Sequence, residues 1–306
     1  MILCCGEALI DMIPEPTISG GHGFVPKVGG AVFNTAITLG RLGANAGLFT
    51  GVSDDFLGQM LSDALTDSGV DTQHLVHLPN PSSLAWVQLD QGNARYTFYT
   101  RAAADTVLTA THVPQGDFQA LFFGGISLCS DPTATTMRDM LLGHAGHAVT
   151  MMDPNIRTSF ISDEASYRTR LADMFAACDI IKVSNEDLGW IAQSPGGDIA
   201  AQVAHCFQNG QIVLVTKGAD GAEAYQNGKL LCRAAAQPVT VADTIGAGDS
   251  FNGGFLHALS QQGALTKAFV ADPDVDMLKH ALGHAAQVAA ITVSRQGANP
   301  PWGHEL

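Results

Sequence analysis

The 306-residue sequence is short of positive charge: 15 lysines and arginines stand against 29 aspartates and glutamates, giving a formal net charge of -14. Binding to nucleic acid or to anionic lipid rewards clustered lysines and arginines, and the sequence contains no such cluster. It also has no apolar run long enough to cross a bilayer, and its opening MILCCGE lacks the basic start of a signal peptide. We therefore expect no nucleic-acid partner, no membrane partner and a cytoplasmic location.

Common metal-binding and nucleotide-binding motifs are missing as well. The six cysteines include no Cys-x-x-Cys pair, and the eleven histidines include no His-Glu-x-x-His pattern, which argues against a zinc site and predicts buried free thiols. The absence of Gly-x-x-x-x-Gly-Lys-Ser/Thr excludes P-loop phosphoryl transfer. The first apolar run leads into GEALID at residues 6–11 instead of Gly-x-Gly-x-x-Gly, which weakens the case for a dinucleotide enzyme.

Short apolar runs alternate with helical patterns along most of the chain. This alternation predicts βαβ units, and hence an α/β fold with a mainly parallel sheet covered by helices on both faces. The predicted strands are 2–5, 46–50, 120–123, 148–152, 180–183 and 212–216. The predicted helices are 34–42, 56–68, 133–143, 167–177, 200–209, 250–262 and 275–292, with a short hairpin near 226–228.

One segment breaks the alternation. Residues 83–90 and 93–100 flank the turn sequence DQGN, which predicts an inserted antiparallel ribbon. The stretch 13–27 is rich in Pro and Gly and is expected to add an edge strand to the same small sheet; a plain surface hairpin is the alternative. We therefore predict two structural parts. The main α/β domain is assigned to 1–12, 28–81 and 102–306, and a β lid to 13–27 and 82–101.

The stretch 243–249, DTIGAGD, has features that suit phosphate binding. Gly246 and Gly248 stand just before a predicted helix, so their backbone N–H groups can point toward one anion, where the helix N-terminus adds partial positive charge. A carboxylate inside such an anion hole repels phosphate unless it accepts the proton of an attacking hydroxyl, which makes Asp249 a candidate catalytic base. On this stretch alone, a first-turn carboxylate favoured by the helix dipole is equally compatible.

Two long stretches of the chain resemble the two signatures of a known family, and they stand in the same order as in that family. The stretch 243–249 resembles the second signature of the ribokinase-like (PfkB-type) carbohydrate kinases, and 29–43, GGAVFNTAITLGRLG, resembles their first. The opening at 6–11, the predicted lid and the turn SRQGA at 294–298 fall where this family has them, so the resemblance covers the whole chain. It implies a ribokinase-like fold, with a central mostly parallel sheet flanked by helices and a small β-sheet lid.

Further stretches are similar to the bacterial fructokinases within that family, namely FYTRAAAD at 98–105, DPNIR at 153–157 and KVSNEDL at 182–188. The resemblance implies a kinase that transfers the γ-phosphate of ATP to a primary hydroxyl of a sugar, with fructose as the expected substrate. It also implies Mg²⁺ as the metal and allows activation by a monovalent cation such as K⁺, at turns near Asp243 and Gly297.

The resemblance also implies a role for individual residues. The transferring phosphoryl group is held by the amides of Gly246, Ala247 and Gly248 beside the base Asp249. The sugar is expected to contact Asp11, Gly29, Gly30, Asn34, Arg101, Asn155 and Arg157. ATP is expected to contact Lys182, Asn185, Thr216, Lys217, Gly218 and Gly221, and Ala286 and Ala290 are expected near the adenine.

The sequence departs from the family pattern at two places. The family often carries Asn-x-x-Glu near the metal, whereas Leu188 stands three positions after Asn185, which leaves Glu186 or Asp187 to act on magnesium through water. Val32-Phe33 replaces the smaller Pro-Ala pair usual in fructokinases, so the sugar pocket is expected to differ in shape.

Several alternatives therefore stay open. A 2-keto-3-deoxygluconate kinase would need a cationic partner for the substrate carboxylate, which Arg101 and Arg157 would supply. A ribokinase or nucleoside kinase is a further possibility within the fold. The alternative of another class is a catalytically silent protein that binds sugar or nucleotide. The lid also carries the apolar residues Trp86, Leu89, Tyr96 and Phe98, whose alternatives are packing on the main domain or packing on the lid of a second copy, and a homodimer is the preferred one.

Overall fold

The chain forms two β-sheets, and a computed structural model describes residues 1–18, 20–90 and 93–306. The strands are β1 (Ile2–Cys5), β2 (Leu9–Pro16), β3 (His22–Gly29), β4 (Ala46–Ser53), β5 (Leu75–Leu78), β6 (Ser83–Asp90), β7 (Asn93–Tyr99), β8 (Ala120–Gly124), β9 (Val149–Asp153), β10 (Ile180–Ser184), β11 (Ile212–Thr216), β12 (Ala222–Gln226) and β13 (Lys229–Ala234). The helices are α1 (Ala31–Arg41), α2 (Phe56–Asp67), α3 (Thr133–His144), α4 (Glu164–Ala177), α5 (Asn185–Ile191), α6 (Ile199–Cys206), α7 (Ala247–Gln261), α8 (Lys267–Ala271) and α9 (Val275–Val293).

The large sheet has nine strands in the order β13-β12-β11-β10-β9-β8-β1-β4-β5. Neighbouring strands from β11 to β5 run parallel, and the hairpin β12–β13 adds two antiparallel strands at one edge. The central strands are buried and mostly apolar because helices cover both faces of a parallel sheet, and Asp153 of β9 and Lys182 of β10 are charged exceptions. The predicted α/β architecture, including the hairpin near 226–228, is confirmed.

The buried side chains of β1 alternate between the two faces. Ile2 and Cys4 belong to a core that also contains side chains of α1, α7 and α9, whereas Leu3 and Cys5 belong to a second core shared with α3 and α4. Successive side chains of a strand point to opposite faces, so a four-residue apolar strand contributes to both cores. Among the described helices, none is both long and apolar enough to cross a membrane.

Helix starts differ from the predicted bounds where capping residues decide them. The helix predicted from 167 begins at Glu164, because the side chain of Asp163 accepts the backbone N–H of Ser166. The short α5 and α8 were not predicted, since each is shorter than the pattern needed to detect a helix. Both have a capping residue, Ser184 and Thr266 respectively.

The small sheet has four strands in the order β3-β2-β6-β7. The predicted ribbon is confirmed as the antiparallel pair β6–β7, although Gln91 and Gly92 of its turn lie outside the described residues. The stretch 13–27 falls within two antiparallel strands, β2 and β3, which extend beyond it to Leu9 and Gly29. The boundaries of the lid as a separate part stay a prediction, but Asp11 lies on a strand of this sheet.

Candidate active site

A cavity of about 520 Å³, which we call the lid cavity, lies beside the small sheet at the carboxyl ends of the parallel strands. This edge is where open α/β sheets bind ligands. The predicted residues that line the lid cavity are Asp11, Gly30, Asn34, Asn155, Arg157, Gly246, Ala247, Gly248 and Asp249. The topology therefore brings together residues that are up to 238 positions apart, from Asp11 to Asp249.

The glycine turn at the start of α7 forms one wall of this cavity. Gly246 has a φ of 78°, and a Cβ on it would lie 2.7 Å from the Cβ of Ala298, so a side chain would meet both strain and a steric clash. Helix α7 begins at the next residue, and its first residues, Ala247 and Gly248, line the cavity at the positive end of the helix dipole. The N–H of Ala247 also donates to the carbonyl of Thr244 at 3.3 Å. The turn thus has the geometry of an anion site.

Asp249 lies in the first turn of α7 and is buried. The Nδ2 of Asn34 donates a hydrogen bond of 2.9 Å to its Oδ2, and the Oγ1 of Thr35 donates to its backbone carbonyl at 3.2 Å. Burial raises the pKa of Asp249 to about 7, and the hydrogen bond from Asn34 opposes this rise. A carboxylate with a pKa near the working pH is suited to general base catalysis.

Asp11 faces the same cavity from β2. Burial raises its pKa to about 6, so the carboxylate is largely ionised at neutral pH and can accept hydrogen bonds from ligand hydroxyls. Gly29 on the neighbouring strand leaves room for this carboxylate, because a Cβ there would overlap the Oδ2 of Asp11. Gly29 itself does not line the lid cavity and supports the site from behind.

Glu7 also lines the lid cavity, and the sequence analysis missed it. Its Oε1 accepts the backbone N–H of Ala31, the first residue of α1, at 2.9 Å, and its Oε2 accepts that of Ser127 at 3.2 Å. Burial raises the pKa of Glu7 above its ordinary value. The carboxylate thereby joins the start of α1 to the loop after β8. Its signal in the sequence was a lone acidic residue within the apolar stretch CCGEALI.

A second cavity of about 670 Å³ adjoins the first. The two share the residues Thr244, Ala247 and Gly248, so the glycine turn lies at their junction. The second cavity is lined by the predicted residues Thr216, Gly218, Gly221, Ala286 and Ala290. Further apolar lining comes from Pro238, Val239, Val241 and Phe251.

Lys217 and Lys182 were expected to contact ATP, but neither lines the two cavities. The Nζ of Lys217 is 2.9 Å from the Oε1 of Glu223. Lys182 is buried, and its Nζ is 2.7 Å from the Oδ2 of Asp153. A buried lysine in a sheet strand cannot be distinguished from an exposed one by sequence, because its partner lies on another strand.

Three further predicted residues also lie outside both cavities. Asn185 and Glu186 are exposed on α5 and line neither cavity. Arg101 is exposed and lines a separate cavity of about 270 Å³ at the base of the lid, next to Asp105. The structure therefore gives no contact between these side chains and the glycine turn, and their predicted roles stay predictions.

The described residues contain no group of three His, Cys, Asp or Glu side chains that could hold a metal by themselves. Mg²⁺ needs fewer protein ligands, because it keeps several waters and binds substrate phosphates. Asp187 is buried where Glu186 is exposed, and its Oδ1 accepts the N–H of Ile156 at 3.1 Å. Burial raises its pKa, and the charge of Asp153 adds to that effect. The Oδ2 of Asp187 accepts the N–H of Ser184 at 3.4 Å, and the residue lines neither cavity, so its expected action on magnesium through water stays a prediction.

Comparison with known proteins identifies the family. The model of the pfkB family carbohydrate kinases matches residues 1–304. A fructokinase from Rhizobium leguminosarum bv. trifolii is 44% identical over 283 residues, which cover 92% of this chain and 86% of that protein. A fructokinase from Escherichia coli is 31% identical, over 96% of this chain and 93% of that protein.

The solved structures agree with this assignment. The crystal structure of a fructokinase from Xylella fastidiosa with bound ATP superimposes with a TM-score of 0.85 at 29% identity, over 97% of this chain and 93% of that chain. The expected fold, the resemblance to the carbohydrate kinases and the expectation of a sugar kinase are confirmed. The chain belongs to the pfkB family of carbohydrate kinases, phosphotransferases with an alcohol group as acceptor.

Proposed function

We propose that this chain is a fructokinase, which transfers the γ-phosphate of ATP to a primary hydroxyl of fructose. The observation that carries this proposal is the position of Asp249, a buried carboxylate with a pKa of about 7 beside the glycine turn where the two cavities meet. The fructokinase from Rhizobium leguminosarum bv. trifolii, 44% identical, supports fructose as the sugar.

In this proposal the lid cavity holds the sugar. The carboxylate of Asp11 accepts hydrogen bonds from its hydroxyls, the amide of Asn155 accepts or donates them, and Arg157 donates them. Asp249 takes the proton of the attacking hydroxyl, and the amides of Ala247 and Gly248 stabilise the charge that develops on the transferring group. Most of the rate then comes from positioning and electrostatics, as in other phosphoryl transfers.

The second cavity holds ATP in this proposal. Its apolar wall, which includes Ala286 and Ala290 of α9, suits the adenine, and its junction with the lid cavity leads the phosphates to Gly248. The Xylella fastidiosa fructokinase with bound ATP supports this assignment. Mg²⁺ would neutralise phosphate charge, with Asp187 as the residue that holds one of its waters. Activation by K⁺ near Asp243 stays a prediction.

We also propose a homodimer formed by the lids. Phe98 lies on the face of the small sheet that lines the lid cavity. On the opposite face, Trp86 packs on Phe24 and Tyr99, with ring centroids 4.5 and 6.5 Å apart. Tyr99 is 61% exposed and Phe24 37% exposed, so an aromatic surface is available to a second copy. Sedimentation of the wild type and of Tyr99→Ser at several concentrations tests this; a monomer at all concentrations contradicts it.

The cytoplasmic location also stays a prediction, which the buried free thiols of Cys4 and Cys178 support.

The alternative substrates differ in the charge that they need. Recognition of a carboxylate, as in 2-keto-3-deoxygluconate, was expected to use Arg101 and Arg157 together, but of these only Arg157 lines the lid cavity in the described structure. This observation favours a neutral sugar. An ATP-consumption assay with fructose, ribose, tagatose, 2-keto-3-deoxygluconate and nucleosides tests the proposal, and we expect the highest kcat/KM with fructose. A larger kcat/KM with another compound refutes the substrate, and binding of fructose and ATP without product supports a catalytically silent protein.

A further inference from the structure

Lys182 and Asp153 form a buried ion pair underneath the glycine turn. Their side chains are 5% and 3% exposed, and the Nζ of Lys182 is 2.7 Å from the Oδ2 of Asp153. The Nδ2 of Asn252 on α7 donates a second hydrogen bond, of 2.8 Å, to the same oxygen. Neither charged side chain lines the lid cavity or the second cavity, so the pair is not a simple ligand contact.

A buried ion pair is weak evidence for stability, because removing two charges from water costs about as much as their attraction returns. Its place in the fold is therefore informative. The Nζ of Lys182 lies only 3.0 Å from the position that a Cβ on Gly248 would occupy. The ammonium group thus lies next to Gly248, which lines both cavities and is small enough to let it approach.

Asp153 fixes this lysine and also holds a residue that lines the lid cavity. Its Oδ1 accepts the backbone N–H of Asn155 at 3.1 Å, and Asn155 adopts a φ of 42° in the loop that lines the cavity. The amide of Asn252 donates to Asp153, while its buried Oδ1 has no hydrogen-bond partner in the described part of the chain. This orientation of the amide is explained if the role of Asn252 is to donate a hydrogen bond to Asp153.

The same charges act on the candidate base. Four polar groups influence Asp249 from the elements packed around it: Asn34 of α1 and Lys182 of β10 lower its pKa, whereas Asp153 of β9 and Glu7 after β1 raise it. The two members of the ion pair therefore shift the pKa of Asp249 in opposite directions. Replacing one or the other should move the pH profile of activity in opposite directions.

We propose that Lys182 is a positioning residue for phosphoryl transfer, which supplies positive charge next to Gly248, and that Asp153 and Asn252 hold this charge in place. The inference rests on the proposed kinase activity, and it replaces the predicted direct contact between Lys182 and ATP, because Lys182 lines neither cavity. Preorganised charge near the place where negative charge develops stabilises the transition state more than the bound ground state.

The test compares Lys182→Met, Asp153→Asn and the double variant with the wild type, with fructose and ATP as substrates. Activity of the wild type decides the proposed function first; the variants then decide the inference. For Lys182→Met we expect kcat to fall by ~10²-fold, as for loss of one electrostatic group in an active site, with little change in the KM for ATP. The acid limb of its kcat/KM profile should move to higher pH, and that of Asp153→Asn to lower pH.

The double variant separates a positioning role from a structural one, because it leaves no unpaired buried charge. We expect it to unfold at higher urea concentration than Lys182→Met while its kcat stays low. Recovery of the wild-type kcat in the double variant overturns the proposal, and so does an unmoved acid limb in Asp153→Asn. If Lys182→Met does not fold, these two results still decide the matter.

Discussion

Replacing Asp249 by asparagine should make the protein inactive and, at alkaline pH, more stable. Asparagine keeps the size of the side chain and its place beside Asn34, but it cannot take a proton from a hydroxyl. Loss of a general base lowers kcat by ~10²- to 10⁴-fold. Because the base acts in its ionised form, the kcat/KM of the wild type should rise with pH through the pKa of Asp249, about 7.

The gain in stability follows from the same pKa. Burial raises the pKa of Asp249 from 3.8 to about 7, and each tenfold change in acidity corresponds to ~1.4 kcal/mol. The unfolded chain loses this proton first as the pH rises, so the folded state holds an extra proton between these two pH values. The stability that this proton provides is complete below the unfolded pKa and is lost as the pH rises through the folded one. Across this range the loss is at most about 4 kcal/mol.

Urea unfolding of the wild type and Asp249→Asn at pH 4, 5.5 and 8 measures this difference. The two proteins should have similar free energies of unfolding at pH 4, and the variant should be the more stable one at pH 8. Asp105→Asn is a matched control, because burial also raises the pKa of Asp105 to about 7 while its Oδ1 accepts the hydroxyl of Ser83 outside the two cavities. This control should gain stability at pH 8 and keep its turnover. A difference between wild type and Asp249→Asn that does not vary with pH refutes the reasoning, as does near wild-type kcat in Asp249→Asn.

Three further predictions concern the walls of the site. Asp11→Asn should raise the KM for fructose by ~10- to 100-fold and leave the KM for ATP nearly unchanged, since a charged acceptor is worth ~1.5–3 kcal/mol; equal rises in both contradict a sugar contact. Gly246→Ala should lower kcat and the melting temperature together, because φ is 78° and the new Cβ would lie 2.7 Å from that of Ala298; unchanged thermal melting and kinetics would show that the turn adapts freely. Ala290→Phe should fill part of the second cavity and raise the KM for ATP much more than that for fructose, and steady-state kinetics with each substrate varied in turn checks this.

Site residues whose role depends on their neighbours in the chain could be predicted from the sequence. The glycine turn and Asp249 were found because their function depends on neighbours in the chain: left-handed backbone, helix start and first-turn carboxylate all lie within a few positions. Thr216, Gly218 and Gly221 were found for a similar reason, since they lie at or just beyond the end of a predicted strand.

Residues whose role depends on a distant partner were harder to predict. In the sequence, Glu7 is an acidic residue just after the first strand. Only the fold brings it to the start of α1 and to Ser127. Nothing in the sequence allowed a choice between Glu186 and Asp187. The two are neighbours at the start of a helix, and a shift of one residue there decides which side chain is buried. The capping box at Ser184 turns Asp187 inward and leaves Glu186 exposed.

The sequence by itself determined the alternation of strands and helices that gives the α/β fold, the antiparallel ribbon of the second sheet and the chemistry of the turn at 243–249. These follow from local hydrophobic periodicity and from backbone preferences of glycine, which act over short distances. The tertiary structure alone decided that Lys182 is buried against Asp153, that Arg101 lies outside the lid cavity and that the two cavities meet at Gly248. Strand order and register bring these side chains together or keep them apart, and neither is encoded in the spacing of residues along the chain.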